Sequence, residues 1–196
     1  MTSLKSEADS AKKAAQALLQ GKIAVLPTDT VYGFSAVSIL QGKKSGLDLK
    51  IDQIKRSAAS KPLIELISDP SDIYKYTDQE IPRKIFEIWP GALTVIVKNN
   101  AWYKGLTGRD ATAFRCPGDE WLRKVIGLCA CPIYSTSVNI SGRPVLEREA
   151  DIEAEFASKI AFFVADGDKK GSLPSTLVSI LDGEPKVIRQ GAVRLD

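Results

Sequence analysis

The 196-residue chain contains no histidine. That absence removes Ser-His-Asp and Cys-His nucleophile arrangements and any histidine-ligated zinc site, so its chemistry must run on hydroxyls, amides, carboxylates, lysine and arginine. Such a set suits transfer of a phosphoryl or nucleotidyl group, where positioning and charge neutralisation carry most of the catalysis. Cysteine is scarce: Cys116, Cys129 and Cys131 are an odd number without metal-site companions, and reduced, mostly buried thiols are expected. No apolar run approaches the roughly 18 residues of a membrane span. The opening MTSLKSEADSAKK lacks the apolar centre of a secretory signal. These two absences predict a soluble, cytoplasmic protein. Polybasic runs are missing too: the net charge is +3, and Lys12-Lys13, Lys43-Lys44 and Lys169-Lys170 read as solvated surface unless folding gathers them into an RNA-binding patch. There is no glycine-rich Walker or dinucleotide loop, internal repeat or low-complexity segment.

The composition, 44% hydrophobic and 26% charged, fits one globular domain over residues 1–196, with no evident linker. Helices are expected over Ser6 to Gln20 with Gly21 as C-cap, Leu47 to Arg56, from about Pro82 to before Pro90, Asp119 to Ile126 and Ile152 to Lys159. The face of the first would carry Ala11, Ala14, Ala15, Leu18 and Leu19. Strands are expected at Ile23 to Leu26, Pro62 to Ile67, Ala92 to Lys98, Thr112 to Arg115, Ile133 to Ser137, Ile160 to Ala165, Leu177 to Leu181 and Lys186 to Arg189. Val31 to Leu40 reads as a strand or a buried coil. Gln41 to Gly46, Asp69-Pro70-Ser71 and Asn99 to Asp110 read as loops or turns. Interleaved helices and strands, with the last two strands close enough for a hairpin, predict a mixed rather than parallel sheet.

The stretch IAVLPTDTVYGF, residues 23–34, anchors the reading. An apolar strand stops at Pro27, and Thr28, Asp29 and Thr30 then present two hydroxyls and a carboxylate where open α/β sheets commonly place ligands. The same residues also cap turns through their own backbone, and spacing alone favours that role. Lys55 and Lys61, bracketing RSAAS, read alone as surface charge. If Ile133 to Asn139 stays extended, Ser137 and Asn139 share a face and offer a hydroxyl and an amide to phosphate oxygens. As an isolated segment it reads equally as a Ser/Asn-rich turn. Arg115 and Arg189, taken singly, fit structural ion pairs, and Trp89-Pro90-Gly91 needs only a packing role.

PTDTVYGF, KPL after Lys55, WPGALTVIV, FRCP, STSVNISG, PSTLVS and IRQGA, in this order from about Ile23 to Ala192, resemble the YrdC-like family of threonylcarbamoyl-AMP synthases, which start the tRNA modification at adenosine 37. The resemblance implies an α/β (α+β) fold: a twisted mixed β-sheet with helices packed around it and a concave ligand-binding face. It implies ATP and Mg²⁺ as cofactors, the metal carried by ATP and not by protein side chains, and L-threonine and bicarbonate as further substrates. Partners would be downstream threonylcarbamoyl-transferase proteins and tRNA or double-stranded RNA, with no membrane. By resemblance Lys55, Ser137 and Asn139 are catalytic, and Lys55, Lys61, Ser137, Asn139, Ser175 and Arg189 bind the nucleotide. Thr28, Thr30, Tyr32 and Arg115 would line the threonine and carbamate end. The sequence departs from the family where Lys-x-Arg-Pro reads Lys55-Arg56-Ser57-Ala58, and where the aspartate after Pro-Ser-Thr is Ser179. In a helix, Arg56 would be rotated by about 100° from the missing arginine. A second reading follows, a weakened paralogue that binds nucleotide or double-stranded RNA, and a third takes its carbamate from carbamoyl phosphate.

Overall fold

A computed structural model of the chain describes residues 1–57 and 62–195. In chain order the elements are β1 (Thr2–Leu4), α1 (Ser10–Leu19), β2 (Ala24–Leu26), β3 (Gly33–Val37), β4 (Ile39–Leu40), β5 (Lys43–Lys44), α2 (Leu47–Lys55) and β6 (Ile64–Leu66). A 3₁₀ turn (Pro70–Lys75), α3 (Arg83–Ile88), β7 (Leu93–Lys98), α4 (Ala101–Thr107), β8 (Ala111–Arg115) and α5 (Glu120–Cys129) follow. The chain closes with β9 (Ile133–Ser137), α6 (Glu149–Phe156), β10 (Phe162–Ala165), β11 (Thr176–Ser179) and β12 (Lys186–Arg189).

One ten-stranded sheet runs β1-β10-β2-β3-β9-β6-β8-β7-β11-β12, and β4 pairs with β5 apart from it. The pairs β1–β10, β10–β2, β6–β8 and β7–β11 are parallel and the others antiparallel, so the sheet is mixed as expected. The closing hairpin turns at Gly183, whose φ of +94° glycine adopts without steric cost. One buried cluster packs α1, α2, α5 and α6 against β2, β3, β9 and β10. Small residues Ala11, Ala14 and Ala15 let α1 lie close, while Leu19, expected on the same face, is 45% exposed. The second cluster, around Tyr76, Trp89, Tyr103 and Phe114, covers β7 and β8.

Two loop expectations, Asn99 to Asp110 and Gln41 to Gly46, are corrected, the turn expected at Asp69-Pro70-Ser71 is present, and a strand is added at the amino-terminal end. Asn99 to Asp110 is not a loop: α4 lies within it, with the Asn100 side chain accepting from Tyr103 N at 2.9 Å and Gly108 closing it at φ +70°. Its seven residues bury only Tyr103 and Thr107, one turn apart, too little for a periodic signal. Asn100→Ala should therefore destabilise the protein by about 1 kcal/mol, the worth of such a cap, as read by thermal or urea denaturation. The polar opening contains an edge strand, β1, formed because its backbone pairs with β10. Asp69 caps the 3₁₀ turn, accepting from Ser71 N at 2.8 Å, and Gln41 to Gly46 contains β5. All three cysteines are free; Cys116 and Cys129 are buried and Cys131 is partly so.

Candidate functional site

Lys55 is the last residue of α2, where Arg56 turns the chain out of the helix at φ +52°. Its side chain is 7% exposed and crosses to the end of β9, where Nζ donates to Ser137 O at 2.5 Å, Asn139 O at 3.1 Å and Asn139 Oδ1 at 2.9 Å. Ser137 Oγ donates to the same Oδ1 at 2.8 Å, and Asn139 Nδ2 donates to Ile140 O and Arg143 O. Ser141 N donates to Lys55 O at 2.8 Å, so the two segments are also joined through backbone. Burial pulls the Lys55 ammonium down to about 8, against the opposing pull of Asp52. The result is a compact cationic cluster with its three ammonium protons already engaged.

The turn after β2 is held by a directed chain of hydrogen bonds. Arg115 Nη1 donates to Thr30 Oγ1 at 3.0 Å, Thr30 and Thr28 hydroxyls lie 2.9 Å apart, and Thr28 Oγ1 donates to Val31 O at 2.8 Å. Since Thr28 spends its proton on Val31, Thr30 is the donor between them. Arg115 Nη2 also meets Asp29 Oδ1 at 2.5 Å, and Asp29 Oδ2 accepts from Gly118 N at 2.9 Å. Thr28, Thr30 and Arg115 therefore form one hydrogen-bonded group, and Arg115 carries the ion pair that the residues alone suggested.

Tyr32 is placed differently. It is fully buried, and its hydroxyl lies 2.8 Å from Glu149 Oε1, 2.9 Å from Gly167 O and 2.8 Å from Asp166 N. Burial first, then Glu149, raises its pKa and keeps it neutral. With its hydroxyl fully engaged, Tyr32 ties the start of β3 to α6 and β10; Glu149, 117 residues away, gives no spacing signal by which this could be foreseen.

A third group lies at the start of β11. Ser175 Oγ is 2.8 Å from Thr94 Oγ1, and Arg189 Nη2 donates to Ser175 O at 2.9 Å from the exposed strand β12. Gly191 has to be glycine here: a Cβ would meet Pro174 O at 2.3 Å. The three groups are bridged. Gly33 faces Ser137 across β3 and β9, and Val138 N donates to Tyr32 O, linking the first to the turn. Gly91 O accepts from Arg115 Nε at 3.0 Å while Ala92 O accepts from Thr176 N at 3.0 Å, linking the turn to the third. The Pro90-Gly91 turn thus does more than pack. Ser57 is spent locally, its hydroxyl 2.6 Å from Asp52 Oδ1, and Arg56 is exposed. Lys61 lies outside the described residues. Among those described, no three Cys, Asp or Glu side chains converge in a way that could hold a metal ion, and no helix is long and apolar enough to cross a membrane.

The Sua5/YciO/YrdC family model, described as telomere recombination, matches residues 16–191. A Methanocaldococcus jannaschii protein provisionally named threonylcarbamoyl-AMP synthase is 32% identical over 178 residues, 90% of this chain and 83% of that protein. Threonylcarbamoyl-AMP synthase of Pyrococcus abyssi is 29% identical over 93% of this chain, which spans about half (54%) of the Pyrococcus protein. The structure of Pyrococcus abyssi Sua5 complexed with L-threonine superposes with a TM-score of 0.80 at 28% identity, covering 92% of this chain and 54% of that one.

Proposed function

Because the chain belongs to the Sua5/YciO/YrdC family, we propose that it is a threonylcarbamoyl-AMP synthase acting in the threonylcarbamoyl modification of tRNA adenosine 37. The observation that carries this reading is the convergence of Lys55 from α2 with Ser137 and Asn139 from the end of β9, beside the Thr28–Thr30 turn. In the reaction, the amine of threonine adds to CO₂ derived from bicarbonate and loses a proton. An oxygen of the resulting N-carboxylate then attacks the α-phosphorus of ATP, the bond to the bridging oxygen breaks, and pyrophosphate leaves. No protein nucleophile is required, in keeping with a chain that has no histidine.

Two substrates must be held in line and the charge on phosphorus neutralised. Lys55 supplies the buried cation, and Ser137 and Asn139 supply a hydroxyl and an amide to the phosphates. Each already hydrogen-bonds another member of this cluster, so nucleotide binding exchanges internal bonds for bonds to phosphate. Ser175 and Arg189 line the adenylate end, and Thr28, Thr30 and Arg115 the threonine end. Magnesium enters with ATP as part of the substrate; the site brings serine and asparagine oxygens, and among the described residues no carboxylate cluster converges to hold the ion. The cytoplasm, with tRNA and a downstream transferase, completes this assignment. The synthase names of the relatives favour it over a nucleotide- or RNA-binding paralogue.

The test is pyrophosphate release from MgATP and bicarbonate with and without L-threonine, for the natural protein and for Ser57→Arg. Threonine-dependent release by the natural protein is expected. Silence there, with activity in Ser57→Arg, would mean a fold kept and a catalytic charge lost. Ser137→Ala should slow release roughly tenfold, the scale of one hydrogen bond to a charged group, and a rate equal to the natural protein's would remove Ser137 from the site.

A further inference from the structure

A second buried polar cluster lies against the same sheet, away from the proposed site. Glu65, in the otherwise apolar β6, is completely buried, and Tyr103 Oη donates to its Oε2. Arg109 reaches between two carboxylates: Nη2 donates to Asp48 Oδ2 at 2.9 Å, and Nη1 stands 3.8 Å from Glu65 Oε1. Lys44 Nζ also pairs with Asp48 Oδ2, at 3.0 Å. Two carboxylates therefore face two cations. Register places Glu65 opposite Tyr134 and beside Phe114, and Thr112 lies two residues from Phe114 on the same face. Asp48 Oδ1, Glu65 Oε1, Arg109 Nη1, Thr112 Oγ1 and Tyr134 Oη are all buried without a hydrogen-bond partner.

The connection to the site runs along α2. Asp48 lies in its first turn and Lys55 in its last, seven residues apart, which puts them on one face of the helix about 10 Å apart along the axis. At the start of α2 the N-cap position is Gly46, and the neighbouring Ser45 Oγ accepts from Leu47 N at 3.2 Å while donating to Val37 O at 2.6 Å. What anchors that end electrostatically is the grip of Arg109 and Lys44 on Asp48, whose side chain is only 6% exposed. Arg109 is itself held where Asn99 Nδ2 donates to its carbonyl at 2.9 Å. We propose that Arg109 is a positioning residue for Lys55: by fixing Asp48 against the sheet, it sets where α2 delivers the ammonium to Ser137 and Asn139. This rests on the synthase reading only for its catalytic consequence; the mechanical link stands on α2 alone.

The experiment follows the Lys55 amine through its ε-carbon NMR signal across pH, with pyrophosphate release measured in parallel. The variants are Asp48→Asn, which keeps shape but loses charge, and Arg109→Lys, which keeps charge but loses the fork. Thr112→Val is the control: it removes an unpartnered hydroxyl of the same cluster that is not on α2. A loosened α2 lets water reach Lys55, so both variants should raise its titration midpoint by about one pH unit and the KM for ATP about threefold or more, leaving the KM for threonine unchanged. Thr112→Val should move neither. If Asp48→Asn does not fold, Arg109→Lys decides. Midpoints equal to the natural protein's in a folded variant, or an equal shift in Thr112→Val, would overturn the proposal. Absence of pyrophosphate release by the natural protein would sink the synthase reading, and the NMR comparison would still decide this one.

Discussion

Lys55→Met should slow threonine-dependent pyrophosphate release by a hundredfold to a thousandfold, the range for loss of one preorganised charge-stabilising donor. Methionine keeps most of the length of the stem but removes the buried ammonium, which lies 5.6 Å from the Phe34 ring centroid and meets both Ser137 and Asn139. Two signs in pH accompany it. Burial holds Lys55 near 8, so the fraction carrying charge, and with it activity, should fall as pH rises through that value. The folded-state value is depressed below the ordinary 10.5, so between about 8 and 10.5 the unfolded chain binds the extra proton. Lys55 thus detracts from stability fully below pH 8, and this penalty fades as pH rises toward 10.5. Urea midpoints of the natural protein measured across that window should therefore rise relative to those of Lys55→Met. A flat difference would mean that Lys55 titrates normally.

Arg115→Leu has the largest expected effect on stability. Its guanidinium, 6% exposed, is bonded on three sides, to Gly91 O, Thr30 Oγ1 and Asp29. Leucine fills much of the volume but strands a partly buried carboxylate and two acceptors, a change that costs about 3 kcal/mol. For a chain of this size that lowers the melting temperature by roughly 6–12 °C. The Asp29→Asn, Arg115→Leu double variant should recover part of the loss, since the stranded charge is gone. A double variant no more stable than Arg115→Leu would show that the cost lies in packing rather than charge. Because Arg115 also links the Thr28–Thr30 turn to the Pro90-Gly91 turn, threonine affinity should fall along with stability.

What could be read from the chain, and what could not, divides by range. α2, α3 and α5 and the strands from β6 to β12 follow from local periodicity, caps and breakers, and the structure places them within a few residues of expectation. α4 was hidden because two buried residues do not make a stripe, although Asn100 and Gly108 marked both its ends. β1 was hidden because an edge strand that buries only Ser3 has no apolar pattern; its partner lies some 160 residues on. That Lys55 would meet Ser137 and Asn139, and Arg115 the Thr28–Thr30 turn, is legible through motif order. Motif order carries no sign that the Tyr32 hydroxyl is engaged by Glu149. The Asp48–Arg109–Glu65 cluster is drawn from three elements spaced 17 and 44 residues apart. Its one local trace is a carboxylate in the run LIELI, where a charge has no reason to be without a distant partner.

The pairing of β1 with β10 bears on how the protein is made. Thr2 stands in register with Phe163, whose N donates to Met1 O at 3.0 Å, and β10 in turn is the parallel neighbour of β2. On a ribosome adding 5–20 residues per second, the first strand emerges roughly 8–30 s before its partner exists. During that interval the backbone donors and acceptors of β1 are free, and β2 has only the antiparallel β3 to pair with. The nascent chain must therefore keep one flank of its sheet open until β10 has been made, and the β2–β3 hairpin, with six residues between its strands, is the natural seed on which the rest assembles.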